Sequence, residues 1–213
     1  MGEGDGLYAY PFSNSPFGIF VNEDLIKKAG QTDPQTLVDS GKWTYDEAEK
    51  IAAATAAETG KQGLVVRDFD YKAWENLASV WDAWGAAPWS ADGKTCTLTD
   101  PKMVDAMTWI HDAVFQDKAM PGPGTTADFF AGESAMTITQ ISRASALDDS
   151  FKWELLPLPS GPAGHQNVIG QAGIGVLAKG KNAAIAADFL AYFTDPENAA
   201  KLAAYFPRRV SRS

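Results

Sequence analysis

The sequence predicts an α/β layered domain built on a largely parallel or mixed sheet. Three observations lead there. Short β-branched and aromatic runs alternate with segments of helical apolar spacing along the whole chain. Several of the helical segments carry their own start and stop residues. The composition is globular: 213 residues, 45% apolar and 21% charged, enough for one large domain or two small ones with a substantial core.

The elements follow in order. "GLYAYPF" and "FGIFVN" read as strands parted by the turn-forming "SNSP". "EDLIKKAG" is a short helix stopped at Gly30, with Lys27 and Lys28 in its last turn. The stretch around Asp33-Pro34 reads as a loop. "WTYDEAEKIAAATAAETG" is the clearest helix, with Thr44 and Glu47 spaced as a capping box and Gly60 at the C′ position. "GLVVRD" is a short buried strand, and "YKAWENLASVWDAWG" has one apolar helical face through 74, 77, 78, 81 and 84. Asp100 and Pro101 open the helix "PKMVDAMTWIHDAVF" as N-cap and first helical residue. Next come a short helix "TTADFF", a strand "SAMTIT", a short helix "QISRASALD" and a strand "WELLPLP". A strand "AGIGVLAK" and the helices "NAAIAADFLAYFT" and "DPENAAKLAAYF" complete the chain.

Charge and motifs exclude several functions. Eighteen Lys and Arg against 27 Asp and Glu give a net charge of −9, which repels phosphate backbones and excludes nucleic acid as a partner. The single cysteine, Cys96, has no partner for an intrachain disulfide and no metal-ligand spacing, so it reads as a small strand residue. No metal or other cofactor is expected. The N-terminal stretch has no basic n-region followed by an apolar run, so this stretch contains no signal peptide, and no 18-residue apolar run occurs. His111 falls on a helix face and His165 in a glycine-rich loop, with no shared spacing. No nucleophile elbow, phosphate loop or zinc-binding histidine pair is present, and "GQAGIG" precedes a strand instead of following one. Asp68 and Asp70 flank Phe69 and offer a carboxylate pair for glycoside chemistry, with Tyr71 beside them, but a helix-capping role for Asp70 is the simpler reading. Asp148-Asp149 reads as a turn.

The aromatic content is more telling. Seven tryptophans occur, at 43, 74, 81, 84, 89, 109 and 153. A sugar presents apolar C–H faces and a polar rim, so its site needs ring faces with amides, carboxylates and guanidiniums around them. Those types gather in "FSNS", "RDFDYKAW", "AWGAAPW", "TQISR" and "GQAG". Trp81 and Trp109 read as core; Trp84, at a helix end beside Gly85, fits either role.

Five stretches, in order over nearly the whole chain, carry a resemblance: "GLYAYPFSNSPFGIFVNEDLIKKAG", "GKWTYDEAEKIAAA", "FFAGESAMTI", "LLPLPSGPAG" with "IGQAGIGVLAKGKN", and "AADFLAYFTDPENAAKLA". The chain resembles the extracellular solute-binding proteins of bacterial ABC transporters, in the sugar-binding, maltose-binding-like branch. The resemblance implies a periplasmic-binding-protein-like lobe: three layers, with a mixed sheet flanked by helices. Family members are about twice as long, and both ends of this chain read as cut. The expected division is therefore hinge and edge strands over 1–20, the second lobe over 21–178, and a helical return segment towards the first lobe over 179–213.

The implied function is carbohydrate binding for import, without catalysis, in an inter-lobe cleft that closes on a hinge. A glycoside-acting enzyme using Asp68 and Asp70 is the alternative. The resemblance places Asn14 and Ser15 on the hinge loop and Tyr71 after "GLVV". It places Gln140 and Arg143 at the strand end and following turn, and Gln171 before the return strand; with Trp84 these form the expected ligand set. Ser142 stands where many relatives carry an aromatic, and Ser15 where some carry an acid, which implies a solute other than long glucans. The implied partners are a sugar or oligosaccharide and a membrane permease. The implied setting is extracytoplasmic, in a periplasm or as a surface lipoprotein, and the expected state is a monomer.

Overall fold

The strand that organises the chain is longer than the sequence suggests. In the computed structural model, which describes residues 2–3, 6–66, 74–125 and 127–204, Tyr10–Asn22 form one continuous strand, β3. It follows a two-residue pair, β1 (Gly2–Glu3) and β2 (Gly6–Leu7). The expected turn at "SNSP" is absent, and Asn14 and Ser15 are strand residues instead of loop residues. Turn propensity at Ser13–Pro16 loses to pairing with strands far away in sequence, a term that composition does not carry. Ser15 and Pro16 do mark a boundary: the chain forms two compact units, one of Pro16–Val168 and one of Met1–Ser15 with Ile169–Ser213.

In the larger unit, β3 lies between β5 (Ser134–Gln140) and β6 (Trp153–Leu156), and β4 (Gln62–Val66) lies beyond β5. The sheet is mixed. β4 and β5 run parallel, with Leu64 opposite Met136 and Val66 opposite Ile138. β3 runs antiparallel to both β5 and β6, with Ile19 opposite Ile138 and Leu156. Alternation then sorts the side chains. Phe17, Ile19, Val21, Leu64, Val66, Met136 and Ile138 join the main core, whereas Phe20 points the other way into a second cluster with Phe129 and Leu147. Both faces of β5 are therefore covered, and residues 134–139 are all buried.

The helices form where the cap residues indicate. α1 (Glu23–Lys28) starts on Asn22, whose Oδ1 accepts from the Leu25 N–H at 3.0 Å. α2 (Pro34–Asp39) replaces the loop expected around Asp33-Pro34: Asp33 caps it and Pro34 is its first residue. α3 (Tyr45–Thr59) begins with Thr44 Oγ1 accepting from the Glu47 N–H at 3.2 Å and ends on Gly60 at φ +68°. Only half of the capping box closes, because the Glu47 carboxylate pairs with Lys50 at 2.7 Å. The expected helix over 71–85 is broken into a 3₁₀ turn (Trp74–Leu77), α4 (Ala78–Trp81) and a second 3₁₀ turn (Asp82–Trp84). α5 (Pro101–Phe115) buries Met103, Ala106, Ile110, Ala113 and Val114, one helical stripe. As expected, Trp81 is core, Trp109 packs against it and His111 is exposed on a helix face. The Ser150 N–H donates to Asp148 Oδ1 at 2.9 Å, closing the expected turn, and the Ser150 hydroxyl and then this N–H hold the Asp148 carboxyl below its ordinary range.

The smaller unit holds the first half of β3, β7 (Ile169–Ile174), which pairs with β3, and the helices α6 (Ala183–Thr194) and α7 (Pro196–Ala204). β7 begins three residues before the strand expected from "AGIGVLAK", so Gln171 is inside the strand and not ahead of it. Leu190 is buried, and the Phe12 and Phe193 rings stack at 5.7 Å between centroids. No helix among the described residues is long and apolar enough to cross a membrane.

Two contacts in the larger unit yield predictions. Gly63 in β4 lets the strand lie directly on the backbone of α3 and of the segment before β5: a Cβ there would stand 2.6 Å from the Ala52 carbonyl oxygen and closer still to that of Ala119. Gly63→Ala should lower stability by about 1–3 kcal/mol, read as a lower denaturant midpoint at unchanged slope. Glu49 on α3 is the second. Burial, and then the neighbouring Asp117 carboxyl, push its carboxyl up from 4.5 to about 7. The native state thus holds a proton that the unfolded chain releases, so this group removes stability as pH rises from about 4.5 to about 7. Glu49→Gln should flatten that part of the stability–pH curve, measured by thermal melts between those values.

Candidate functional site

The end of β5 is where apolar enclosure stops. Directly opposed residues on paired strands share a face. Gln140 faces the same side as its partner Phe17, at the margin of the main core, and is half-buried. Its amide makes no hydrogen bond among the described residues. A 3₁₀ turn, Ile141–Ala146, begins immediately after it. Gly18, opposite Thr139, allows that turn to lie low over the sheet: a Cβ at Gly18 would be 2.8 Å from Leu155 Cδ1 and 3.4 Å from Ile141 Cγ2.

The small residues of β5 have a packing cause. Thr137 stands opposite Phe20, on the face where Phe20, Phe129, Phe130, Phe151 and Trp153 crowd together. Its hydroxyl donates to the Val65 carbonyl at 3.0 Å. The Ser134 and Thr139 hydroxyls are buried without a partner among the described residues. The same aromatic cluster holds a cation. The Arg143 guanidinium carbon lies 4.8 Å from the centroid of Phe130, over the ring face, and no carboxylate among the described residues pairs with it. Phe130 is therefore a positioning residue that the sequence reading missed; the paired phenylalanines of "FFAGES" were its only trace. Asp128 sets this pair in place, its carboxylate accepting from the Phe130 N–H at 2.9 Å.

The other expected ligand residues fall in different surroundings. Trp84 is half-buried, with its ring centroid 5.5 Å from that of Tyr45 and 5.4 Å from that of Trp109, against the main core. Tyr45 anchors this cluster: its hydroxyl donates to the Ser79 carbonyl, and full burial pushes its phenol far above the ordinary value. Asn14 and Ser15 on β3 and Gln171 on β7 occupy paired strands of the smaller unit, with Asn14 and Gln171 exposed. Gln140 and Arg143 stand three residues apart in the larger unit. Tyr71, Asp68 and Asp70 lie outside the described residues. Among the described residues, no three His, Cys, Asp or Glu side chains gather as a metal site. Cys96 is exposed, and its backbone bridges to Trp89.

No curated relative matches the chain in sequence. Solved structures match it in fold. An ABC substrate-binding protein from Listeria monocytogenes in complex with cycloalternan is 24% identical, with a TM-score of 0.76 over 93% of this chain and 51% of its own. UgpB from Mycobacterium tuberculosis in complex with glycerophosphocholine is 22% identical, with a TM-score of 0.73 over 96% of this chain and 52% of its own. The cyclic alpha-maltosyl-1,6-maltose binding protein from Arthrobacter globiformis is 21% identical, with a TM-score of 0.68 over 91% and 50%. The chain thus spans about half the length of these structures, and its mixed sheet flanked by helices is a periplasmic-binding-protein-like lobe. The pattern of one protein family, described as bacterial extracellular solute-binding protein, runs over residues 1–212, and the chain belongs to that family.

Proposed function

We propose that the protein binds a carbohydrate solute for import by an ABC transporter and breaks no bond in it. The observation that carries the reading is the end of β5. There a half-buried Gln140 amide without a partner stands three residues from a guanidinium that is held on an aromatic ring. Amide and guanidinium together donate to and accept from hydroxyls, and neither must give up a protein hydrogen bond to do so. Family membership supports a binding role, and the saccharides held by the Listeria and named by the Arthrobacter proteins support the solute class.

In this reading Asn14, Ser15, Tyr71, Trp84 and Gln171 complete the ligand set with Gln140 and Arg143. The solute's hydroxyls replace water on these groups, and closure on a hinge buries it between lobes. The closed form then docks on a membrane permease. The protein works as a monomer outside the cytoplasm, in a periplasm or anchored at the cell surface.

Calorimetric titration of the chain with mono- and oligosaccharides should give weak binding, because this chain spans half of the fold. Gln140→Ala should abolish it, and Arg143→Ala should weaken it about tenfold, the worth of one charge-assisted hydrogen bond. Tight binding by this chain alone, or indifference to both substitutions, contradicts the reading. Incubation with a panel of glycosides should release no reducing sugar. Release that disappears when Asp68 and Asp70 become asparagine would establish the catalytic alternative instead.

A further inference from the structure

Trp89 belongs to a strap whose shape is fixed by its own hydrogen bonds. The Thr97 N–H donates to the Pro88 carbonyl at 3.0 Å, and the Ser90 N–H to the Thr95 carbonyl at 2.8 Å. The Thr97 hydroxyl donates to the Ala87 carbonyl, and the Trp89 backbone bridges to Cys96. The strap nevertheless leaves the indole 55% exposed. The strap backbone is fixed, and the indole it carries presents an apolar ring face to solvent.

The chain leads from the strap directly into α5. Asp100 is the N-cap residue of that helix, yet its carboxylate makes no capping hydrogen bond. Neither the Asp100 carboxylate nor the Lys102 ammonium has a hydrogen bond or ion pair among the described residues. Both nonetheless line a single shallow depression of about 440 Å³ with Trp89, Thr97, Met103 and Gly85. Gly85 is at φ +68°, and a Cβ there would stand 3.1 Å from Ala163 Cβ and 3.3 Å from Lys102 Nζ.

We propose that this depression is a carbohydrate-binding site, formed by residues outside the set proposed above for the transported solute. A pyranose ring lays its C–H face on the Trp89 indole. Its hydroxyls donate to the Asp100 carboxylate and accept from the Lys102 ammonium, two groups with no protein partner to lose. Each charge offsets the other, so the site favours a neutral hydroxylated ligand over an anion or a cation. The sugar ring belongs either to a free oligosaccharide or to an insoluble polysaccharide surface.

The test uses the full chain with ¹⁵N-labelled indoles, titrated with maltotetraose and with cellotetraose. The Trp89 resonance is identified by its loss in Trp89→Phe. We expect it to shift with millimolar saccharide, and the double variant Asp100→Asn, Lys102→Ala to need about tenfold more, with an unchanged circular dichroism spectrum. In parallel, co-sedimentation with insoluble starch and cellulose separates the sources. Pelleting that Trp89→Ala abolishes, without a shift by either tetrasaccharide, identifies a polysaccharide surface. A Trp89 resonance unmoved by both saccharides, together with equal pelleting of wild type and Trp89→Ala, overturns the proposal. So does a saccharide response that the double variant leaves unchanged.

Discussion

Burial of β5 on both faces constrains every residue near the strand. One face adds Met136 and Ile138 to the main core, and the other meets the ring cluster around Phe20 and Phe129. On the face crowded by the rings the strand carries small side chains, and each buried hydroxyl needs a partner. Thr137 finds one in the Val65 carbonyl, while Ser134 and Thr139 find none among the described residues. Gly18 and Gly63 follow from the same constraint, because neighbouring turns and helices come down to backbone contact on the sheet.

A polar site arises where this enclosure ends. The core face of β5 runs out at Gln140, and the chain turns at once into the 3₁₀ segment that carries Arg143. The ring cluster that covers the opposite face also supplies Phe130, on which Arg143 rests. The aromatics that close the second face of the sheet thus also seat a cation.

The Trp84 and Trp89 environments separate two uses of one residue type. Trp84 is enclosed by Tyr45 and Trp109 against the core, whereas Trp89 is kept in solvent by a hydrogen-bonded strap five residues later. Both lie within "WDAWGAAPW", where the sequence reading gives a ligand role to Trp84 and none to Trp89. Only the path of the chain after Gly85 distinguishes the ring packed against the core from the ring left in solvent.

Local chemistry was legible from the residues. Thr44 and Gly60 bound α3, Pro101 opens α5, and the helix in "NAAIAADFLAYFT" occurs where its spacing puts it. Such signals act over three or four residues, through caps and turns that do not depend on the rest of the fold. Asp33-Pro34 carried the same signal as Asp100-Pro101, but α2 has only six residues and shows no apolar period to support it. The tertiary structure alone decided the unbroken course of β3 through Ser13–Pro16, the start of β7 before Gln171 and the seat of Arg143 on Phe130. Each of these depends on contacts with residues beyond the local window. Strand pairing and ring stacking are energies between distant parts of the chain, and a linear sequence does not state which parts will meet.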